Sequence, residues 1–368
     1  MKTPALSTIS DAELRDTLTG LGEPAWRADQ LRRATWLPQV SGFAEVRQLP
    51  GAVREVMASR MSFTTVHVDA ESVADHGRTI KLLCRLDDGT TVETVAMETP
   101  AHAASRRRST VCVSAQVGCA VGCPFCATGH MGLTRSCTAA EIVDQVRSAA
   151  AVLQRNNLGP VTHVVFMGMG EPLANYDATL TSLQVLVNIA GISPRRITVS
   201  TSGVVPAIHR LAAEAPPVRL AISLHAATDA LRDRLVPLNR AHPIRELVDA
   251  GVRYATASGR RLTFEWCLIG GVNDSTEQAQ ALRRLAGTAN AHINVIPMNR
   301  IEGSRWGPPR ADVAGAFLAQ LRGARVTVRD TRGHEADAAC GQLRGLLEAR
   351  RELRPDGTLT APRRRATA

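Results

Sequence analysis

Val111-Cys112-Val113-Ser114-Ala115-Gln116-Val117-Gly118-Cys119-Ala120-Val121-Gly122-Cys123-Pro124-Phe125-Cys126-Ala127-Thr128-Gly129 is the stretch around which the chain is read. Its first half is apolar and β-branched, which predicts a buried strand over 110–117. Its second half spaces three cysteines as Cys119-x3-Cys123-x2-Cys126 just beyond that strand. Three thiolates so close together make a cage for a thiophilic centre.

Downstream, strand-like runs recur at 162–167, 196–200, 218–223, 262–268, 293–296 and 326–329, and helical stretches separate most of them. The first helix, 139–153, opens on the capping box Thr138-x2-Glu141 and places Ile142, Val143, Val146 and Ala150 on one face. Strands alternating with helices predict an α/β fold, a parallel sheet with crossover helices. Upstream the pattern differs. Helices are expected at 11–18 and 26–36, and a hairpin at 80–86 and 91–97 turns on Asp88-Gly89. The stretch 100–109, with Arg106-Arg107-Arg108, reads as an exposed linker. The expected organisation is an accessory domain over 1–100, a parallel α/β domain over 101–345, and a helix end with a basic disordered tail over 346–368.

A chain of 368 residues with 44% hydrophobic content is long enough for a large soluble core. No apolar run approaches a membrane helix, and the first residues lack a secretory pattern, so the cytoplasm is expected and no membrane partner. The eight cysteines are irregularly spaced, five of them between Cys112 and Cys137, which fits metal or redox chemistry in a reducing compartment better than a disulfide framework. Net charge is +10, carried by two lysines and 42 arginines, which favours a polyanionic partner such as nucleic acid. Aromatic residues make up only 3%, so stacking on bases cannot be the main contact.

The unusual sequences fall where the strands end, the place at which parallel barrels collect ligands. They are the cysteine triplet, Gly168-Met169-Gly170-Glu171-Pro172, Ser200-Thr201-Ser202-Gly203, Ser223-Leu224-His225, and Pro297-Met298-Asn299. A cubane of four irons on three cysteines keeps one iron open, and that iron can chelate and reductively cleave S-adenosylmethionine (SAM). Gly168 and Gly170 would let the backbone approach such a ligand, and Glu171 could hold its amine or ribose. Ser200, Ser223, His225 and Asn299 could bond its carboxylate, ribose or adenine. The competing reading is a structural zinc site made by Cys112, Cys119, Cys123 and Cys126, although such sites favour two separated Cys-x-x-Cys pairs. His130 and His334 read as surface or loop residues, and Cys84, Cys137 and Cys267 carry no ligand spacing.

Cys-x3-Cys-x2-Cys and Gly-Met-Gly-Glu-Pro together resemble the radical-SAM RNA methyltransferases of the RlmN/Cfr family. The segments 111–119, 200–206, 223–226 and Asp337-Ala338-Ala339-Cys340-Gly341-Gln342-Leu343 are similar to it as well. The resemblance implies a partial (β/α)6-type barrel, one 4Fe-4S cluster on Cys119, Cys123 and Cys126, and SAM held by Gly170, Glu171, Ser200, Ser223, Leu224, His225 and Asn299. It implies methylation of adenine in 23S rRNA, and in tRNA too, through a methyl group carried on Cys340. Glu93 would accept the C2 proton, and Cys112 would attack the sulfur of Cys340, leaving a transient disulfide. Pro172 looks like the C2 branch, since the C8 branch tends to carry alanine there. A flavodoxin or ferredoxin would supply electrons, the amino-terminal helices would dock RNA, and the chain is expected to be a monomer. The alternatives are a C8-adenine rRNA methyltransferase of the same family and a non-catalytic, zinc-stabilised RNA-binding protein.

Overall fold

The computed structural model describes residues 4–101, 107–301, 304–329 and 337–343. The tail from 344 onward, His334 and residues 102–106 of the 100–109 stretch lie outside the described residues.

Three helices open the chain: α1 (Asp11–Thr19), α2 (Arg27–Thr35) and α3 (Gly51–Arg60). α1 starts on a capping box in which Ser10 and Glu13 satisfy each other's backbone N–H groups. These helices enclose their own apolar cluster, including Leu6, Leu14, Leu18, Leu31 and Met57. Three antiparallel strands follow: β1 (Val66–Ala74), β2 (Thr79–Leu86) and β3 (Thr91–Thr99). β1 has no counterpart among the strands expected from the sequence. A bulge between Val68 and Ala70 breaks its two-residue alternation, which hides the strand from a periodicity reading.

The run expected as one strand over 110–117 is two: β4 (Arg108–Cys112) and β5 (Gln116–Gly118). Arg108 and Ser109 therefore belong to a strand rather than to a linker. After the short helix α4 (Ala127–His130), β6 (Leu133–Ser136) pairs with β5 outside the main sheet. Then come α5 (Ala139–Arg155), β7 (Val161–Phe166), α6 (Tyr176–Asn188), β8 (Ile197–Thr201), α7 (Val205–Glu214), β9 (Arg219–Ser223), α8 (Asp229–Leu235), α9 (Ile244–Ser258) and β10 (Thr263–Leu268). α10 (Thr276–Thr288), β11 (His292–Pro297), α11 (Ala311–Gln320) and β12 (Val326–Val328) complete the alternation.

The main sheet has ten strands in the order β1-β2-β3-β4-β7-β8-β9-β10-β11-β12. From β4 onward every neighbour is parallel, and each new strand adds on the same side without reversal. Right-handed crossovers repeated in one direction put the helices on one face and gather the strands' carboxyl ends over one mouth. The sheet also continues without a break through β3 and β4 into the amino-terminal hairpin, which shares its apolar core. Trp266, Phe166 and Phe264 are fully buried in that core, each contributing about 1.5–3 kcal/mol.

α5 ties the first three helices to the sheet through a buried ion pair. Asp144 accepts from the Thr65 backbone N–H at 2.8 Å and from Arg147 Nη1 at 2.7 Å. Arg147 donates onward to the Thr35 and Phe63 carbonyls, both at 2.8 Å. Among the described residues, no helix is long and apolar enough to cross a membrane.

Candidate active site

The cysteine loop leaves β5 and closes on itself. The Cys126 N–H donates to the Cys123 carbonyl at 3.1 Å, and the Gly129 N–H to the Cys126 carbonyl at 3.0 Å. A Cβ on Gly129 would lie 2.6 Å from the Cys123 carbonyl oxygen, so only glycine lets α4 fold down onto the loop. Burial pushes the Cys123 thiol well above its ordinary range, and the sulfurs of Cys126 and Cys119 add to the push. Burial likewise lifts Cys119 to about 11. The three sulfurs thus lie in one another's field. As metal ligands they would be thiolates, a form that bound metal favours. Among the described residues no three Cys, His, Asp or Glu side chains close on a point as around a single ion; a cubane holds its cysteines at separate irons.

The loops after the parallel strands are fitted to each other. A Cβ on Gly168 would meet the Val113 carbonyl oxygen at 2.6 Å, and one on Gly170 (φ +91) would meet Gln116 Cβ at 2.4 Å. These glycines therefore admit the neighbouring backbone, a closeness that the sequence pattern alone suggests for a ligand. Glu171 is buried, and burial raises its carboxyl above the usual range. Its Oε2 accepts from the Ser202 N–H at 2.6 Å and the Ser202 hydroxyl at 2.7 Å, while its Oε1 accepts from the Leu173 N–H at 3.0 Å. The carboxylate locks the β8 loop to the β7 loop.

Ser200 and Ser223 sit side by side with their hydroxyls 3.3 Å apart. Leu224 is fully buried beside them. His225 takes a left-handed backbone (φ 57), and its Nδ1 accepts from the Cys267 N–H at 2.9 Å. Burial holds its ring neutral, pushing it down to about 3, with the proton on Nε2. The Phe125 ring, inside the cysteine loop, packs edge-on against it at 4.9 Å. Asn299 is buried; its Nδ2 donates to the Cys340 carbonyl at 2.9 Å, and its Oδ1 has no partner among the described residues. An orphaned buried acceptor suits a polar ligand in this mouth.

The segment 337–343 returns from far along the chain to dock here. The Ala127 N–H donates to the Gly341 carbonyl at 2.7 Å, the Thr128 hydroxyl to the Leu343 carbonyl at 2.7 Å, and Gln342 Nε2 to the Arg300 carbonyl at 2.9 Å. Cys340 is exposed at the surface of this loop. Burial pushes the thiol of Cys112 up to about 12, and the charge of Cys340 pushes the same way. Although the residue as a whole is exposed, burial of its sulfur raises the Cys340 thiol; Arg329 pulls it down, and Glu265 and Cys126 push it up. Cys112 thus lies within the field of Cys340. Both cysteines are free thiols.

Glu93 is buried on β3. Its Oε1 lies 3.0 Å from Lys81 Nζ, which also donates to the Asp337 carbonyl at 3.3 Å. Lys81 thereby links Glu93 to the segment that carries Cys340.

The Radical SAM superfamily matches residues 113–282. The "probable dual-specificity RNA methyltransferase RlmN" of Moorella thermoacetica is 45% identical, over 90% of this chain and 94% of that one. The protein of the same name from Thermobifida fusca is 44% identical, over 92% and 94%. The crystal structure of a radical SAM methyltransferase from Sphaerobacter thermophilus superposes with a TM-score of 0.88 at 45% identity, covering 93% of this chain and all of that one. The chain belongs to the RlmN family of radical-SAM methyltransferases.

Several residues that shape this RlmN-family site carry no mark in the sequence. Arg232, on α8, is fully buried. It donates to the carbonyls of Leu224 at 3.0 Å, Ser202 at 2.6 Å and Ser223 at 3.1 Å, and to Asn239 Oδ1 at 2.9 Å. It joins the β8 and β9 loops and sets a cation opposite Cys123; burial lowers it to about 10. Glu265, on β10, is buried with its carboxyl raised, and it accepts from Asn294 Nδ2 at 2.5 Å. Cys267 lies within the field of Cys340 and Cys126. Nothing in the sequence singles out Arg232 among 42 arginines, whereas Lys81 is conspicuous as one of two lysines.

Proposed function

We propose that this chain methylates C2 of an adenine in 23S rRNA, and in tRNA as well, by carrying the methyl carbon on Cys340. The observation that carries the reading is the return of the 337–343 segment, with Cys340 in it, onto the cysteine loop at Ala127 and Thr128 and onto Asn299. The names of the relatives support RNA as the substrate.

Cys119, Cys123 and Cys126 would hold a 4Fe-4S cluster, and the donor set fits, being three thiols on one loop with a cation opposite. When bound, that cluster supplies the electron that turns SAM into a carbon radical, the reactivity an electron-poor C2 requires. Gly170, Glu171, Ser200, Ser223, Leu224, His225 and Asn299 would orient SAM, the free Oδ1 of Asn299 accepting a hydrogen bond from it. A flavodoxin or ferredoxin would provide the electron to a cytoplasmic monomer, and the amino-terminal helices, within 1–100, would dock RNA by its phosphates and folded shape.

Once the carbon joins Cys340 to the base, Glu93, paired with Lys81 Nζ at 3.0 Å until then, takes the C2 proton, and the adduct's unpaired electron would go back to the bound cluster, leaving a closed-shell thioether. Cys112 then attacks the sulfur of Cys340. The sulfur–carbon bond breaks with its electron pair on carbon, which takes a proton and leaves as the methyl group, and the cysteines end as a disulfide for an external thiol to reduce.

Nucleoside analysis tests this. Anaerobic incubation with SAM, a reductant and unmodified rRNA fragments or tRNA, side by side, is expected to give 2-methyladenosine in both; 8-methyladenosine contradicts the site assignment. Glu93→Gln is expected to slow turnover about 10²–10⁴-fold, and Lys81→Met by a smaller factor, both with full iron content; single-turnover kinetics read the effect. Gly129→Ala is expected to prevent the loop from closing. Bound iron should then fall well below about four per chain, with the circular dichroism of the apoprotein unchanged.

A further inference from the structure

At the opposite end of the parallel strands lies a cleft of about 430 Å³. Arg195, Arg219, Arg260, Arg261, Thr263 and His292 line it. Arg219, Thr263 and His292 are the first residues of β9, β10 and β11, and Arg195 lies just before β8, so the cleft spans the amino ends of four adjacent strands. Arg195, Arg219 and Arg261 are exposed. Among the described residues, none of Arg195, Arg196, Arg219 and Arg261 lies within ion-pair distance of a carboxylate, although neighbouring Arg210 reaches both Asp177 and Glu214. Arg260 donates to the Pro217 carbonyl at 2.9 Å, which leaves its charge unbalanced.

Two histidines register the resulting potential. Burial pushes His163 down to about 4, and Arg108, Arg196 and Arg219 push the same way. Burial also lowers His292, assisted by Arg261 and Arg325. Both rings are neutral, so the positive charge belongs to the arginines and extends along the strand starts on either side of the cleft. The like charges of Arg195, Arg219, Arg260 and Arg261 repel one another. A bound anion relieves that, and guanidinium forks match phosphate oxygens in pairs. The lining holds no aromatic ring to stack on a base and no carboxylate to read ribose hydroxyls.

We propose that this arginine-lined cleft is a second RNA-binding surface, gripping backbone phosphates of the substrate on the barrel face away from the catalytic mouth. It deepens the proposed function and rests on RNA being the substrate. Strands of five or six residues put roughly 17–20 Å between the two ends, a gap that one folded RNA spans by passing around the sheet edge or the helices.

The test combines Arg195→Gln, Arg219→Gln and Arg261→Gln in the cluster-loaded protein. Binding of unmodified tRNA is measured as salt is varied. Each phosphate released from an arginine should flatten the slope of log affinity against log salt by about 1, so the triple variant should lose about 2–3 in slope and on the order of tenfold to hundredfold in affinity at moderate salt. SAM cleavage without RNA and the thermal melt should match wild type. An unchanged slope and affinity overturns the proposal. So does inorganic phosphate that stabilises wild type but not the variant while tRNA binding stays equal, since the cleft would then be a small-anion site. Wild-type protein that binds neither tRNA nor rRNA fragments overturns the proposed function itself.

Discussion

Cys340→Ala is expected to end methyl transfer, lowering it by more than about 10³-fold, the scale on which a covalent intermediate matters. The cluster should stay intact, because Cys119, Cys123 and Cys126 sit on a separate loop. Docking of the 337–343 segment should survive too. Asn299 reaches the Cys340 backbone carbonyl, and the hydrogen bonds from Ala127, Thr128 and Gln342 involve other residues. The companion Cys112→Ala should fail at a different stage: with no thiol to attack Cys340, RNA stays covalently attached to the protein. Denaturing gels and nucleoside analysis separate the two. A Cys340→Ala protein turning over within tenfold of wild type would show that the carbon takes another route.

Arg232→Met should destabilise the fold by about 3–5 kcal/mol, the scale for removing one member of a buried charged network. The substitution strands the carbonyls of Ser202, Ser223 and Leu224 and the amide oxygen of Asn239 in the interior. It also releases the β8 and β9 loops from each other and removes the cation facing Cys123. SAM affinity should therefore fall with stability. Arg232→Lys keeps the charge but cannot reach four acceptors on three segments, so it should recover only part of either. Urea denaturation of the apoprotein and SAM binding to the loaded protein read the two effects. A loss below about 1 kcal/mol would mean that water or local rearrangement satisfies those acceptors.

Much of this architecture is legible in the amino-acid order, for identifiable reasons. The parallel strands are short apolar runs with polar sequences at their ends, and the structure reproduces them within a residue or two, as for 262–268 against Thr263–Leu268. The Thr138 capping box fixes the start of α5 as read. What escapes a sequence reading depends on tertiary placement. The bulge in β1 hides that strand, and the apparent single strand at 110–117 splits because 113–115 turn to meet the β7 loop at Gly168 and Met169. The bonds by which Glu171 joins the β8 loop at Ser202 to the β7 loop at Leu173 leave no mark in the sequence. The basic cleft has no motif at all, since its arginines come from three strand starts spread over 195–261.

The most direct measurement follows one labelled methyl group. Loaded protein is incubated anaerobically with methyl-labelled SAM in the absence of RNA, and the Cys340 peptide is isolated and weighed. One labelled methyl is expected on Cys340, and its carbon should pass to adenine when RNA, unlabelled SAM and reductant are added. Labelled adenine formed by protein whose Cys340 never carries the label would contradict a route through that sulfur.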